Sequence, residues 1–467
     1  MSSKESNTEV AKNVTPSLYH HVSTVRPKLS SFGGGLGPLS RIHNSITFRS
    51  EIIPDTARGT LTTGVLYSHG SDIYEIDCAL PLSSFHRRES DEYSDLLGIN
   101  IGDTGSLEQK DGDLRQVKSG SAFKDIENRQ VSPKWVYQGE TVLKMSYLDS
   151  SDDSTLIVMS KNGSLGWFRD GIKVPIHIVQ EMMGPMTTYA AIHSKNNPTN
   201  LALCDFGLSM NSDTLVKSQS NGSEEDSILK IIDNAGKPGD ILRTIHVPGT
   251  TVTHTVRFFD NHFFASCSDD NTLRFWDTRT AGKPLFNLCQ PQNGRLNAFD
   301  TSQVTNELFA TGSSTGVIKL WDVRAVENAT TDLTNRQNGE DPIQKELVSL
   351  YHSGGDSVID VQFSDTCSSE FITVGKTGSI YHWDMEYLFS RNDDDLKDDV
   401  DTPAPEELQG QCLKFFHGGN VKKELDCPNG RNMVTLHPVI DNLVGTVDLD
   451  CQVTVYKPFL IGDHGTD

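Results

Sequence analysis

Three stretches decide how this chain reads: FASCSDDNTLRFWD (264–277), FATGSSTGVIKLWD (309–322) and FITVGKTGSIYHWD (371–384). They align without a gap. Each holds a short apolar run, a turn of small and polar residues, then an alternating run that closes on Trp-Asp. Alternation with period two marks a half-buried strand, so each stretch reads as a β-hairpin. Trp276 and Trp321 stand about 45 residues apart, the repeat length of a four-stranded propeller blade. Trp383 arrives roughly twenty residues later than that period, which places an insertion around 325–346.

Working outward, the frame reaches four more markers. Ile76 in SDIYEID, Phe168 in GSLGWFRD, Ile232 in SILKIID and Tyr456 in CQVTVYK take the place of the tryptophan. Five and six positions before the markers lie Asn162-Gly163, Asp226-Ser227, Asp270-Asn271, Thr315-Gly316, Thr377-Gly378 and Asp450-Cys451. Asn-Gly favours a two-residue turn with positive φ at both positions, whereas Thr-Gly calls for a different turn. HTVRFF (254–259) and SVIDVQF (357–363) supply inner strands for the fourth and sixth blades, and ITFRSEI (46–52) supplies the first. Seven hairpins at this spacing predict one closed all-β ring rather than three domains. The expectation is a seven-bladed β-propeller over 46–467, preceded by a segment 1–45. Long polar insertions fall near 85–130, 210–226, 325–346 and 391–410.

Charge and composition narrow the function. The 467 residues carry 41 basic and 63 acidic side chains, a formal net charge of −22. Such a balance argues against direct binding of nucleic acid, which needs clustered Lys and Arg, and favours a basic protein partner. The opening MSSKESNTEVAKNVTPS has no apolar signal core, and no run is long enough to span a membrane, so the expectation is an intracellular protein without a membrane partner. The eight cysteines form no CxxC pair, which predicts reduced, apolar roles and no metal or cofactor. Gly355-Asp356-Ser357 falls in a loop that the repeat already explains, and neither GxSxG nor HExxH occurs. No catalytic residue is assigned, and the chain reads as a non-enzymatic protein. FGGGLGP (32–38) fits no phosphate-loop pattern and reads as a connector.

Two segments stand outside the repeat. NDDDLKDDVDTPAPEELQ (392–409) packs eight carboxylates into eighteen positions, at Asp393, Asp394, Asp395, Asp398, Asp399, Asp401, Glu406 and Glu407. KNVTPSLYHHVSTV (12–25) reads as a short helix, with Thr15 as cap, Pro16 in the first turn and Leu18, Val22 and Val25 on one face. Together they would let the carboxylates draw in a basic helix or tail, which Leu18, Tyr19, Val22 and Leu408 then grip.

The Trp-Asp hairpins are similar to those of WD-repeat β-propellers. KNVTPSLYHHVSTV, with the acidic, proline-containing insertion and His417-Gly418-Gly419, resembles in particular the nuclear histone-binding WD-repeat proteins of the retinoblastoma-binding and chromatin-assembly small-subunit type. In that family the helix and the loop clamp a histone helix. Arg26-Pro27-Lys28-Leu29-Ser30 replaces that family's Trp-Pro-Ser-Leu, and the overall character is closer to the fungal WD-repeat transcriptional modulators. The resemblance implies a nuclear scaffold, with the cytoplasm left open as a second compartment. Its implied work is transcriptional repression through chromatin or corepressor partners, in meiotic-gene repression and silencing. A homologous WD-repeat protein is a further partner implied. A nuclear anchor for ribonucleotide reductase small subunits is an alternative. Trp276-Asp277-Thr278-Arg279 and Trp321-Asp322-Val323-Arg324 resemble a docking motif of cullin ubiquitin-ligase substrate receptors, a further alternative. The resemblance also implies a buried hydrogen-bonded set of Trp276, Ser266, His254 and Asp270, with Trp321, Trp383 and His352 in matching places. Thr315 and Thr377 replace the Asp in blades five and six, which predicts a loss of about 1 kcal/mol per missing hydrogen bond.

Overall fold

A computed structural model describes residues 19–30, 44–55, 57–82, 85, 121–127, 129–148, 156–180, 204–220, 226–250, 252–280, 282–289, 294–335, 346–389, 405–418 and 431–458. They form seven four-stranded antiparallel sheets arranged as a propeller, with a short parallel pair between Lys28–Leu29 and Gln130–Val131. Blade four shows the plan, from the inner strand Thr253–Phe258 through Phe263–Ser268 and Thr272–Asp277 to the outer strand Phe286–Cys289. Ile76, Phe168, Ile232, Trp276, Trp321, Trp383 and Tyr456 all lie on third strands and all are buried. A blade cannot bury both of its faces alone. Each sheet therefore packs on the next, and the apolar clusters run across blade boundaries, as where Phe259 and Phe275 of blade four meet Phe309 and Trp321 of blade five.

Blade seven departs from the plan. Its outer strand is Tyr19–Val25, antiparallel to Val453–Pro458 from Tyr19↔Pro458 to Val25↔Val453. The helix expected over 12–25 is therefore a strand from Tyr19 onward; the earlier part, with Leu18, lies outside the described residues. The cause is tertiary. His21, Ser23 and Val25 are buried while Val22 and Thr24 are exposed, a period of two that fits a sheet edge. The open edge of 453–458 also offers backbone groups that a helix would leave unpaired. Val22, Thr24 and Val25 are β-branched and suit the strand. The later part of the blade-one insertion straps this strand down: Ala122 N–H donates to Ser23 Oγ at 3.0 Å, and Ala122 O accepts from Ala79 N–H at 2.9 Å.

Other boundaries also shift. Thr214–Ser220 and Asp226–Asp233 are paired strands of blade three, so most of the described part of the insertion expected at 210–226 is sheet, and Asp226-Ser227 opens a strand instead of forming a turn. The insertion near 325–346 begins as a helix, Val323–Asn335, and the acidic one ends as a helix, Pro405–Cys412. Leu413–His417 then pairs with Ile380–Asp384, which places the acidic insertion inside blade six. The resemblance implies that His417-Gly418-Gly419 opens the last blade, whereas His417 is the final residue of the outer strand of blade six.

Five hairpins share one turn, and it is not the expected two-residue type. In each, a backbone bond spans three residues, as from Gly163 N to Ser160 O, and only the last residue has positive φ: Gly163, Asn271, Gly316, Gly378 and Cys451. This is a type I turn followed by one left-handed residue, which Thr-Gly serves as well as Asn-Gly.

The tryptophans anchor their blades by single hydrogen bonds. Trp276, Trp321 and Trp383 Nε1 donate to Ser266 Oγ, Thr311 Oγ1 and Thr373 Oγ1 at 2.9, 2.9 and 2.8 Å. The four-member set of blade four is not assembled: His254 bonds Thr255 and Cys267, while Asp270 binds Thr272 N–H and Arg274. Blade six does assemble one. Thr373 Oγ1 lies 2.7 Å from His352 Nε2, and His352 Nδ1 lies 3.1 Å from Asp356 O. The Asp356 carboxylate accepts from Thr377 N–H and Oγ1–H, so the predicted loss does not arise in that blade. In blade five, Thr315 Oγ1 lies 2.9 Å from Ser313 Oγ.

The closing strand gives a direct test. Val25→Asp, on its buried face, should cost about 3 kcal/mol, whereas Val22→Asp on the exposed face should stay within about 0.5 kcal/mol. Urea unfolding of the two variants reads the difference, and equal costs would mean the strand is not docked.

Candidate functional site

The strand edges of blades five to seven form one continuous outer wall. The helix Pro405–Cys412 lies on it, with Cys412 buried, Leu408 packed on the core of blades five and six, and Gln409 Nε2 donating to Tyr351 O at 2.9 Å. Leu408 therefore faces the protein and is not an open anchor. Glu407 is exposed. Tyr19 is also engaged: its hydroxyl lies 2.7 Å from His417 Nδ1 and its ring meets Phe415 and Tyr456 edge-on. Val22 stays exposed. Asp393, Asp394, Asp395, Asp398, Asp399 and Asp401 lie outside the described residues, as does the side chain of Glu406.

Two exposed aromatics on this wall escaped the sequence reading. Tyr351 ends the outer strand of blade five and Phe416 lies near the end of that of blade six; they are 45% and 49% exposed. The signal was present in Phe415-Phe416. Neighbouring strand residues point to opposite faces, so one ring of such a pair must turn outward.

A second polar assembly lines the axis of the ring. Arg431, just before the inner strand of blade seven, donates to His254 O at 2.7 Å, to Asn297 O and to Ile359 O, each the second residue of the inner strand of blade four, five or six. Asn432 Nδ2 reaches Leu143 O of blade two at 3.2 Å. Around the same axis, Lys144 pairs with Asp205 at 2.8 Å, Asp205 with Arg257 at 2.7 Å, and Arg257 with Asp300 at 3.1 Å. Burial alone would raise the Asp205 carboxyl, but Lys144, Arg257 and Arg431 hold it well below its ordinary range. Burial pushes Asp300 up to about 6 despite Arg257, and lowers Lys144 to about 8. The same burial pushes His254 down to about 3, with the charge of Arg431 adding to it. These groups satisfy one another and form a structural belt. No group of three or more His, Cys, Asp or Glu placed to hold a metal occurs among the described residues.

The Trp-Asp-x-Arg arginines are spent within their blades. Arg279 binds Asp277 at 2.7 Å, and Arg324 binds Glu307 while its N–H donates to Asp322 Oδ1 at 2.7 Å.

Two outcomes follow from the belt and from the buried imidazoles. Arg431→Leu leaves carbonyls of three blades without their donor and removes one of the three cations that hold Asp205, and should cost about 3 kcal/mol in chemical unfolding. Burial also lowers His21 and His352 to about 4, His382 and His437 to about 3, and His69 and His417 by lesser shifts. A base depressed on folding contributes stability that is whole above about 6.5 and lost as pH falls below it. Asp300 and Asp365, raised to about 6, and Glu370, raised to about 7, all by burial, work in the opposite sense. With the histidines in the majority, the melting temperature should fall between pH 7 and pH 5, as scanning calorimetry will show.

The description "WD domain, G-beta repeat" matches residues 239–277, which run from the outer strand of blade three through the first three strands of blade four. Three curated proteins of Saccharomyces cerevisiae align along nearly the whole chain. Transcriptional modulator WTM2 is 60% identical over 448 residues, 96% of this chain and 94% of that protein. Transcriptional modulator WTM1 is 55% identical over 466 residues, covering 97% and 98%. Transcriptional regulatory protein UME1 is 34% identical over 459 residues, covering 98% and 94%. With seven blades, three of them closing their hairpin on Trp-Asp, and identity of this extent, the chain belongs to the family of WD-repeat transcriptional modulators that these yeast proteins represent.

Proposed function

We propose that this protein is a non-enzymatic nuclear scaffold that regulates transcription by holding a basic segment of a chromatin or corepressor protein against the wall of blades five to seven. The observation that carries the reading is the pair of exposed rings, Tyr351 and Phe416, flanking a helix that begins where the acidic run ends. Carboxylates Asp393 to Asp401 and Glu407 would orient the partner and speed its arrival. Apolar contact with Tyr351, Phe416 and Val22 would set how long it stays. Repression of meiotic genes and silencing are the processes this scaffold would serve. The relatives' names, as transcriptional modulators and a transcriptional regulatory protein, support the regulatory half of the reading. Intrablade pairing of Arg279 and Arg324 favours a structural use of those arginines over a ubiquitin-ligase dock.

Because residues 405–412 are a helix packed on the core, the test neutralises charge and leaves that helix in place. One variant changes Asp393, Asp394, Asp395, Asp398, Asp399 and Asp401 to Asn; a second carries Tyr351→Ala and Phe416→Ala. Affinity purification of the intact protein beside both should show basic nuclear partners lost from each, and lost from the wild type at high salt. Retention of every partner by both variants would reject the wall as the site. Retention of an acidic folded partner alone would favour a nuclear anchor for ribonucleotide reductase small subunits.

A further inference from the structure

The outer strand of blade two, with the segment leading into it, exposes more apolar residues than the outer strand of any other blade among the described residues. In blades four and five the solvent-facing positions of that strand begin with Asn287 and Ser349, in blade three Thr244 and His246 face out, and in blade seven Thr24 shares the exposed face with Val22. In blade two the outer strand His177–Val179 and the segment leading into it present Ile172, Val174, Ile176 and Ile178 instead. These are alternate residues, β-branched without exception, and 40–51% exposed. The strand is last in its sheet, paired only with Leu165–Phe168 among the described residues. Blade three adds to the row. Gly239 approaches so closely that a Cβ there would overlap the His177 imidazole, which sets exposed Ile241 and Leu242 beside the end of this strand.

The charge of this wall runs against that of the molecule. From Gly171 to Gln180 the sequence GIKVPIHIVQ holds one lysine, one histidine and no carboxylate, in a chain of 63 acidic residues. Lys173, His177 and Lys237 are exposed around the row. Asp170 is bound by both Lys134 at 2.8 Å and Arg49 at 3.1 Å, and among the described residues Asp240 is an exposed carboxylate nearby with no ion pair. An exposed edge with a β-branched row accepts another strand readily, because the backbone ladder and the side-chain row are both already in place.

We infer that the outer edge of blade two is a second docking surface, which takes an extended, β-branched segment of a partner protein with acidic flanks. Its chemistry is the inverse of the basic segment proposed for blades five to seven. A scaffold with both surfaces would hold one basic and one acidic partner on well-separated walls of the same ring.

Fluorescence anisotropy with the full-length protein tests this. The probes are a labelled peptide Asp-Glu-Val-Ile-Val-Ile-Asp-Glu and its charge-swapped partner with Lys in place of each acidic residue. The acidic peptide should bind saturably, and Ile176→Asp with Ile178→Asp should weaken it on the order of tenfold or more, the scale of losing central apolar anchors. Leu242→Asp, on the adjoining blade, should weaken it by less, and near-ultraviolet circular dichroism checks that each variant stays folded. The Asp→Asn variant of residues 393–401 should bind this peptide as the wild type does, so failure here is separable from failure of the wall of blades five to seven. Equal or tighter binding of the charge-swapped peptide, or binding unchanged by the double variant, would overturn the inference. So would a wild-type dimer, seen by sedimentation, that the double variant dissolves, since the occupant would then be a second copy.

Discussion

Arg431 touches more of the ring than any sheet does. A propeller brings seven inner strands toward one axis, and their polar groups crowd into a volume that water barely enters. Each such group needs a partner there or it costs the ring stability. Arg431 meets that need for blades four, five and six at once by donating to three carbonyls at the same level. Asn432 does so for blade two, and its own carbonyl accepts from Ile46 N–H of blade one. Two consecutive residues of blade seven thus fix the level at which five other inner strands start. The ion chain from Lys144 to Asp300 repeats the device one step along the axis. Rigidity at the centre is what leaves the outer strands free to differ, and it is on those strands that the candidate binding residues sit.

Much of this was legible in the residues. The three Trp-Asp hairpins set the frame, and its extension to Ile76, Phe168, Ile232 and Tyr456 rested on strand alternation, which local sequence does encode. What misled the reading was every feature decided by a distant partner. Leu18, Val22 and Val25 have helical spacing, but the same residues alternate as a strand once an open sheet edge is available, and only the far end of the chain supplies that edge. Asp226-Ser227 looked like a turn because the frame assumed equal hairpins, whereas blade three makes longer ones. Asp356 replaces a missing hairpin Asp from a different loop, a substitution in space that no alignment of repeats could register.

At the candidate site, two of the residues named from sequence are already engaged within the protein. Tyr19 and Leu408 are apolar anchors in sequence but are already used, one against His417 and the other against the blade core. The residues proposed in their place, Tyr351 and Phe416, are exposed outer-strand aromatics whose orientation depends on register. An aromatic pair in a strand says that one ring is exposed; it does not say which.

Closure by the N-terminal strand has a consequence for how the protein is made. Thr24 and Thr454 share a 2.9 Å hydrogen bond across 430 positions of sequence. The strand that leaves the ribosome first must wait for nearly the last to be synthesised, on the order of half a minute at ordinary elongation rates. Until then blades one to six have no closing neighbour, and both ends of the growing arc present bare strands. A chain that stops early can never close, whatever the quality of its completed blades. Full-length synthesis is thereby built into the fold as a condition of stability, so incomplete products remain open and recognisable to proteases and chaperones.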